Sequence, residues 1–181
     1  MKVVGIAGSL RSGSFNSALL RAAVEECPAG MTLEIESIRG IPLYDADLEA
    51  EQGIPQRVAE LKDRIAASDA LLLATPEYNN SIPGVFKNAL DWLTRPPADS
   101  PRVFRGRAVG LIGASPGNYG TLLSQTAWLP IFRTLGTRPF FGQLLYVGRA
   151  EKVFDASGRM VDDAIRARLR KYLEGFAAFV A

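Results

Sequence analysis

Val3-Val4-Gly5-Ile6-Ala7-Gly8-Ser9-Leu10-Arg11-Ser12-Gly13-Ser14-Phe15-Asn16-Ser17 decides the fold. Five apolar residues end at Gly8-Ser9, the form of a strand buried on both faces. A polar loop follows, and Asn16 or Ser17 can cap a helix that Ala18, Leu19, Ala22, Ala23 and Glu26 carry to Pro28-Ala29-Gly30. The alternation then repeats. Thr32 to Ile38 reads as a strand nearer a sheet edge, with Leu33, Ile35 and Ser37 on one side, and Pro42 to Ile54 as a polar loop. Pro55 to Ala67 is a helix burying Val58, Leu61, Ile65 and Ala66, with a Glu60/Arg64 pair on its outer face. Ala70 to Ala74 is a second apolar strand stopped by Thr75-Pro76, and Ser81 with Pro83 opens a helix striped by Val85, Phe86, Ala89, Leu90, Trp92 and Leu93. After a proline-rich connection, Thr94 to Gly106, come a buried strand at Ala108 to Ala114 and a helix at Leu122 to Leu135 that Pro130 should kink or break. Gln143 to Val147 is the last strand and Asp162 to Val180 the last helix, burying Ile165, Leu169, Tyr172, Leu173 and Phe176.

Five strands alternating with five helices imply an α/β, doubly wound three-layer sandwich: one parallel sheet in order 2-1-3-4-5, helices on both faces. Ligands in such sheets bind beyond the carboxyl ends of the strands, where the strand order reverses. The 181 residues are expected to form a single domain, 1–181. With no His, a Ser-His-Asp triad, a Cys-His pair and a His-ligated zinc are excluded. The lone Cys27 cannot form an intramolecular disulfide and reads as a packed small side chain in a reducing, cytoplasmic setting. Twenty-one Lys plus Arg against 19 Asp plus Glu is too balanced for a nucleic-acid partner. No segment approaches the roughly 20 apolar residues of a membrane span, and no metal site is expected.

The loop after the first strand gathers four serines, Asn16, Arg11 and two glycines before a helix N-terminus, where N–H groups favour an anion. It fits a phosphomonoester cradle; it also fits an ordinary polar turn with a helix cap. It has neither the Gly-Lys-Ser/Thr of a Walker loop nor a Gly-x-Gly-x-x-Gly fingerprint. Thr75-Pro76-Glu77-Tyr78-Asn79-Asn80-Ser81 offers an aromatic wall for a planar ligand, or simply good turn residues. Ala114 to Thr121, with Ser115, Gly117 and Tyr119, either closes over such a ring or is a mobile surface loop. Lys87 and Asp91 read as a solvated pair, and Arg95, Arg102, Arg105 and Arg107 as solvated loop cations.

Gly8 to Asn16, followed by Thr75 to Gly84 and then Lys87-Asn88-Ala89-Leu90-Asp91-Trp92, closely resembles the NAD(P)H-dependent FMN reductase family, nearest its bacterial chromate and quinone reductases. Ile41 to Asp47 looks like the family's segment after the second strand. The resemblance implies a flavodoxin-like fold with FMN as cofactor and NADPH or NADH as co-substrate. It places Ser9, Arg11, Ser14, Phe15, Asn16 and Ser17 at the FMN phosphate. Pro76, Glu77, Tyr78, Asn79 and Asn80 fall along the ribityl chain and ring, and Ser115 and Gly117 near the flavin. It further implies ping-pong hydride transfer through flavin N5 to a quinone or similar small acceptor (chromate, azo dye or free flavin), no catalytic side chain, and a homodimer or homotetramer. Where relatives often carry Gly-Gly-x-Arg, this chain has Gly120-Thr121-Leu122-Leu123, with Gln125 kept. The alternatives are a flavodoxin-like electron carrier or flavin-binding module without turnover of its own, and a non-flavin phosphate-ligand enzyme. The net charge of +2 weighs against an acidic carrier.

Overall fold

The computed structural model describes residues 1–181. Lys2–Ala7 forms β1, Thr32–Glu36 β2, Ala70–Ala74 β3 and Ala108–Ala114 β4, all paired in parallel in the order β2-β1-β3-β4. The fifth position is shared by two short strands, Arg138–Pro139 (β5) and Leu145–Val147 (β6), each parallel to β4. The sheet is therefore the expected doubly wound one, with six strands rather than five. Arg138 and Phe140 donate their N–H groups to the Arg107 and Val109 carbonyls, both at 2.8 Å, and the chain leaves β4 after Phe140. The gap is filled from elsewhere: the Tyr172 hydroxyl accepts the Leu111 N–H at 2.7 Å. Burial holds the Tyr172 phenol in its neutral form, raising its pKa well above that of a free tyrosine.

Every residue of β3 is buried, and all of β1 except Lys2, as continuous apolar runs require when helices cover both faces. One face is closed by α1 (Phe15–Glu25) and α9 (Asp163–Val180) through Leu19, Leu20, Leu169, Leu173 and Phe176. The other is closed by α3 (Gln56–Ala66) and α4 (Gly84–Leu93) through Val58, Leu61, Ile65, Phe86 and Trp92. At the edge, β2 leaves Ile35 43% exposed; Val85, placed in the apolar stripe, also stays exposed. No helix is long and apolar enough to cross a membrane.

Four expectations are corrected. Pro42 to Ile54 is not all loop: Ala46–Gln52 forms α2, capped by the Asp45 carboxylate accepting the Asp47 N–H at 2.9 Å. None of its residues is buried, so no apolar period marks it; it is held by Glu49, which accepts from Arg95 at 2.7 Å and from the Tyr44 hydroxyl at 3.0 Å. Thr94 to Gly106 contains a 3-10 turn at Pro97–Asp99 and α5 at Ser100–Phe104, which buries Val103 and Phe104. Arg64 pairs with Glu36 at 3.0 Å and Glu60 with Arg57 at 3.7 Å, not with each other. The arginines of that connection are tied down as well: Arg95 to Glu49, Arg102 to Asp99 and Asp63, and Arg107 to the carbonyls of Val103 and Ser68. Lys87–Asp91 is the exposed pair expected. The predicted break falls at Trp128, dividing α6 (Leu122–Ala127) from α7 (Leu129–Leu135), with Pro130 in the first turn of α7. A short α8, Ala150–Val153, lies between β6 and α9.

Tyr172→Phe removes the partner of the half-buried Leu111 N–H, which costs about 0.5–1.5 kcal/mol; urea unfolding should show the midpoint falling with an unchanged slope. A second test is electrostatic. Buried Lys62 pairs with Asp99 and donates to the Arg95 carbonyl at 2.5 Å. Hydrogen bonds from Arg102 and Lys62 hold the Asp99 carboxyl down from 3.8 to about 2. The fold thus favours the carboxylate; that contribution is complete above about pH 4 and is lost as pH falls through about 2. Asp99→Asn should flatten the loss of stability over that window in a pH series of unfolding curves.

Candidate functional site

The loops after β1, β3 and β4 meet at the carboxyl end of the sheet. Between them lies a cleft of about 90 Å³ lined by Ser9, Arg11, Ser14, Phe15, Asn16, Pro76, Glu77, Tyr78 and Ser115, with Ala114 and Pro116. All nine of the first group are residues the sequence singled out. Ser17, Asn79, Asn80 and Gly117 stand outside the lining. A groove of about 470 Å³ continues past Arg11 and Ser14 to Arg21 and the turn Asp155 to Gly158. A separate hollow of about 160 Å³ between β4, β5 and α7 is walled mainly by apolar side chains, among them Val109, Phe132 and Phe140. It carries no charged side chain to meet a phosphate.

The β1 loop starts tightly. The Gly8 N–H continues the ladder to the Ala74 carbonyl at 2.9 Å, and any Cβ on Gly8 would drive into the Phe86 ring. Ser14 then caps α1, its hydroxyl accepting the Ser17 N–H at 3.2 Å. The Arg11 N–H meets the Ser9 hydroxyl at 3.3 Å, while its side chain is exposed. Arg11, the hydroxyls of Ser9 and Ser14, and the opening N–H groups of α1 form a donor set without a carboxylate. That is the chemistry a phosphomonoester requires.

Asn16 has a different part from the one its residue type implied. It is 3% exposed; its Nδ2 donates to the Ala114 carbonyl at 2.8 Å and its Oδ1 accepts the Ala114 N–H at 2.9 Å. Its amide is consumed in joining α1 to the end of β4. Ser115 and Gly117 likewise shape their own loop. The Ser115 hydroxyl donates to the Gly120 carbonyl at 2.6 Å, and the Gly117 carbonyl accepts from Gly120 and Arg149 at 3.2 and 3.1 Å.

In the β3 loop, Asn79 and Asn80 take positive φ of 50° and 62°, a region that Asn tolerates better than most residues. The tight turn that results closes with paired 3.1 Å bonds between Tyr78 and Ser81, leaving Tyr78 49% exposed and its hydroxyl 3.4 Å from that of Ser9. Beneath it, the Thr75 hydroxyl contacts the Ser124 hydroxyl at 2.9 Å and accepts from Trp128 Nε1 at 3.1 Å. Ser124 and Trp128 escaped the reading of the sequence, since neither sits in a strand-end loop. Cys27 is half-buried and burial raises its thiol pKa, which does not favour a nucleophile.

Residues 1–152 match the family described as NADPH-dependent FMN reductase. The chain is 43% identical over 180 residues to an NAD(P)H-dependent FMN reductase of Pseudomonas aeruginosa, covering 99% of this chain and 95% of that protein. It is 35% identical over 185 residues to the quinone reductase of Escherichia coli, covering 99% and 95%. Among solved structures, the flavoenzyme NAD(P)H:(acceptor) oxidoreductase FerB of Paracoccus denitrificans superposes with a TM-score of 0.87 at 32% identity, over 99% of this chain and 96% of that one.

Asn16→Ala should strand both polar groups of Ala114 and cost about 2–6 kcal/mol, since each buried group left unpaired costs about 1–3 kcal/mol. Denaturant melts of the protein without added ligand measure this, separating a clamp from a ligand contact.

Proposed function

The chain belongs to the NADPH-dependent FMN reductase family and is an oxidoreductase, and from that premise we propose that its 1–181 unit binds FMN in the three-loop cleft and reduces a quinone at the expense of NADPH or NADH. The observation that carries this is the convergence, in one cleft, of Arg11 with two serine hydroxyls at the start of α1 and of Tyr78 on the facing loop: a phosphate end and an aromatic end. Ser9, Arg11, Ser14 and the N–H groups of Phe15 and Asn16 would hold the phosphate, with Ser17 behind them. Pro76, Glu77 and Tyr78 would wall the ring with Ser115 opposite, and the turn at Asn79 and Asn80 and the loop at Gly117 would shape the approach to it.

Bound there, FMN supplies the hydride relay that no side chain of this protein provides. The chain's own work is to orient the ring, exclude water from one side of it and offer N–H groups to developing negative charge. The names of the relatives favour quinones as acceptor, with chromate, azo dyes and free flavin as further small acceptors. Assembly as a homodimer or homotetramer is supported by the exposed apolar side chains Leu129, Phe141 and Leu144 around the apolar hollow. A single half-buried thiol accords with a cytoplasmic setting.

Removing a charge-assisted contact costs about 1.5–3 kcal/mol, so Arg11→Ala should weaken FMN binding roughly 10- to 100-fold, read by quenching of flavin fluorescence on titrating the apoprotein. The wild-type complex should lose its visible flavin absorbance on anaerobic NAD(P)H and regain it on adding quinone. A complex that holds FMN but is not bleached by either nucleotide would be a carrier instead.

A further inference from the structure

Thr75, the first polar residue after β3, lies beneath the cleft in a cluster with Ser124 and Trp128, all three 0% exposed. Trp128 Nε1, which can only donate, gives its proton to Thr75 Oγ1 at 3.1 Å. The Ser124 hydroxyl has Thr75 Oγ1 as its one partner, at 2.9 Å, and donates to it. Both lone pairs of Thr75 Oγ1 are then occupied, so its own proton goes to the Pro76 carbonyl at 3.0 Å. The indole is held in place: its ring stands edge-on to Phe86, centroids 4.9 Å apart, and stacks on Phe132 at 5.5 Å. The Pro76 carbonyl is therefore turned toward the core. The Pro76–Glu77 peptide is trans, and a planar trans peptide points its N–H opposite its carbonyl. The Glu77 N–H thus faces the side of the loop that lines the cleft, and no group of the chain accepts it. The Glu77 carboxylate is fastened to α6 through the Leu123 and Ser124 N–H groups, so the peptide is fixed on both sides.

Resting on the FMN site proposed above, we propose that Thr75, oriented by Trp128 and Ser124, is a positioning residue: it aims the Glu77 N–H into the ring end of the cleft, and by doing so strengthens the protein's hold on reduced FMN over oxidised FMN. A donor fixed in advance needs no reorganisation when negative charge grows on the ring. None of the three buried residues lines the cleft; they act through the peptide. Without the Thr75 hydroxyl, the Pro76 carbonyl is free to turn, and the Glu77 N–H turns with it. The Trp128 N–H and the Ser124 hydroxyl also lose their partner, so a loss of stability accompanies the change and is measured separately.

The test is the midpoint potential of FMN bound to the protein, taken by anaerobic titration with a mediator dye, with FMN affinity measured alongside by fluorescence quenching. Thr75→Val keeps the branched shape and removes the hydroxyl; it should cut the preference for reduced FMN about tenfold, a fall of about 30 mV in a two-electron potential. Thr75→Ser, which keeps a hydroxyl, should hold the wild-type potential. Trp128→Phe, which removes one donor and keeps a ring between Phe86 and Phe132, should lower it by a smaller factor. A role in packing alone would weaken oxidised and reduced FMN equally and leave the potential where it was. An unchanged potential in Thr75→Val, or a fall in Thr75→Ser as large as in Thr75→Val, overturns the proposal. Should Thr75→Val not fold, Trp128→Phe and Ser124→Ala carry the test, and an unmoved potential in both is the overturning result. A wild type that binds no FMN defeats the functional reading and this proposal together; FMN bound at a potential indifferent to Thr75 defeats this proposal alone.

Discussion

Asn16 spends both polar atoms of its amide on Ala114, and the cleft depends on that pairing. The two bonds, 2.8 and 2.9 Å long and spanning 98 residues of sequence, fix the first turn of α1 against the last residue of β4. Ser14 and Ser17 on one side and Ser115 and Pro116 on the other are positioned by the same contact. An amide suits this role because it donates and accepts in one plane; a carboxylate would set its charge against the Ala114 carbonyl. The clamp lies at the carboxyl end of the sheet, beside the crevice that the reversal of strand order leaves.

The facing wall is built differently. Thr75 ends β3 beneath the site, and its hydroxyl joins Ser124 and Trp128 in a buried polar group while Glu77 takes the next two amides of the α6 segment. Close approach is needed for this: a Cβ on Gly113 would collide with Thr121 and with the Thr75 carbonyl. The β3 loop and α6 are therefore joined through Thr75 and Glu77. The Asn79-Asn80 turn, which costs backbone strain, is affordable because both flanks are fastened.

Those contacts explain what the sequence could and could not disclose. β1, β3 and β4 were legible because strands covered on both faces must be apolar throughout, and three such runs ending in polar loops locate the crevice. Helix α2 was illegible because it buries nothing, and the divided fifth position because its missing ladder partner, Tyr172, lies 61 residues beyond Leu111. At the site, residue types pointed to the right loops but not to the direction of each side chain. Asn16 carries an amide suited to a ligand, yet its partner is distant in sequence. Glu77 reads as a ring-wall residue, and only its bond to Leu123 across 46 positions discloses that its charge is directed at the α6 amides.

The absence of histidine takes on meaning in this setting. The charged side chains that line the cleft are Arg11 and Glu77, with no histidine beside them. A site that performed its own proton chemistry would need a group poised to do so. On the proposed reading, in which a bound flavin would carry the hydride, such a group is unnecessary. What that reading leaves to the protein is placement: Arg11 and the serine hydroxyls where a phosphate would be kept, Pro76 and Tyr78 where a ring would lie.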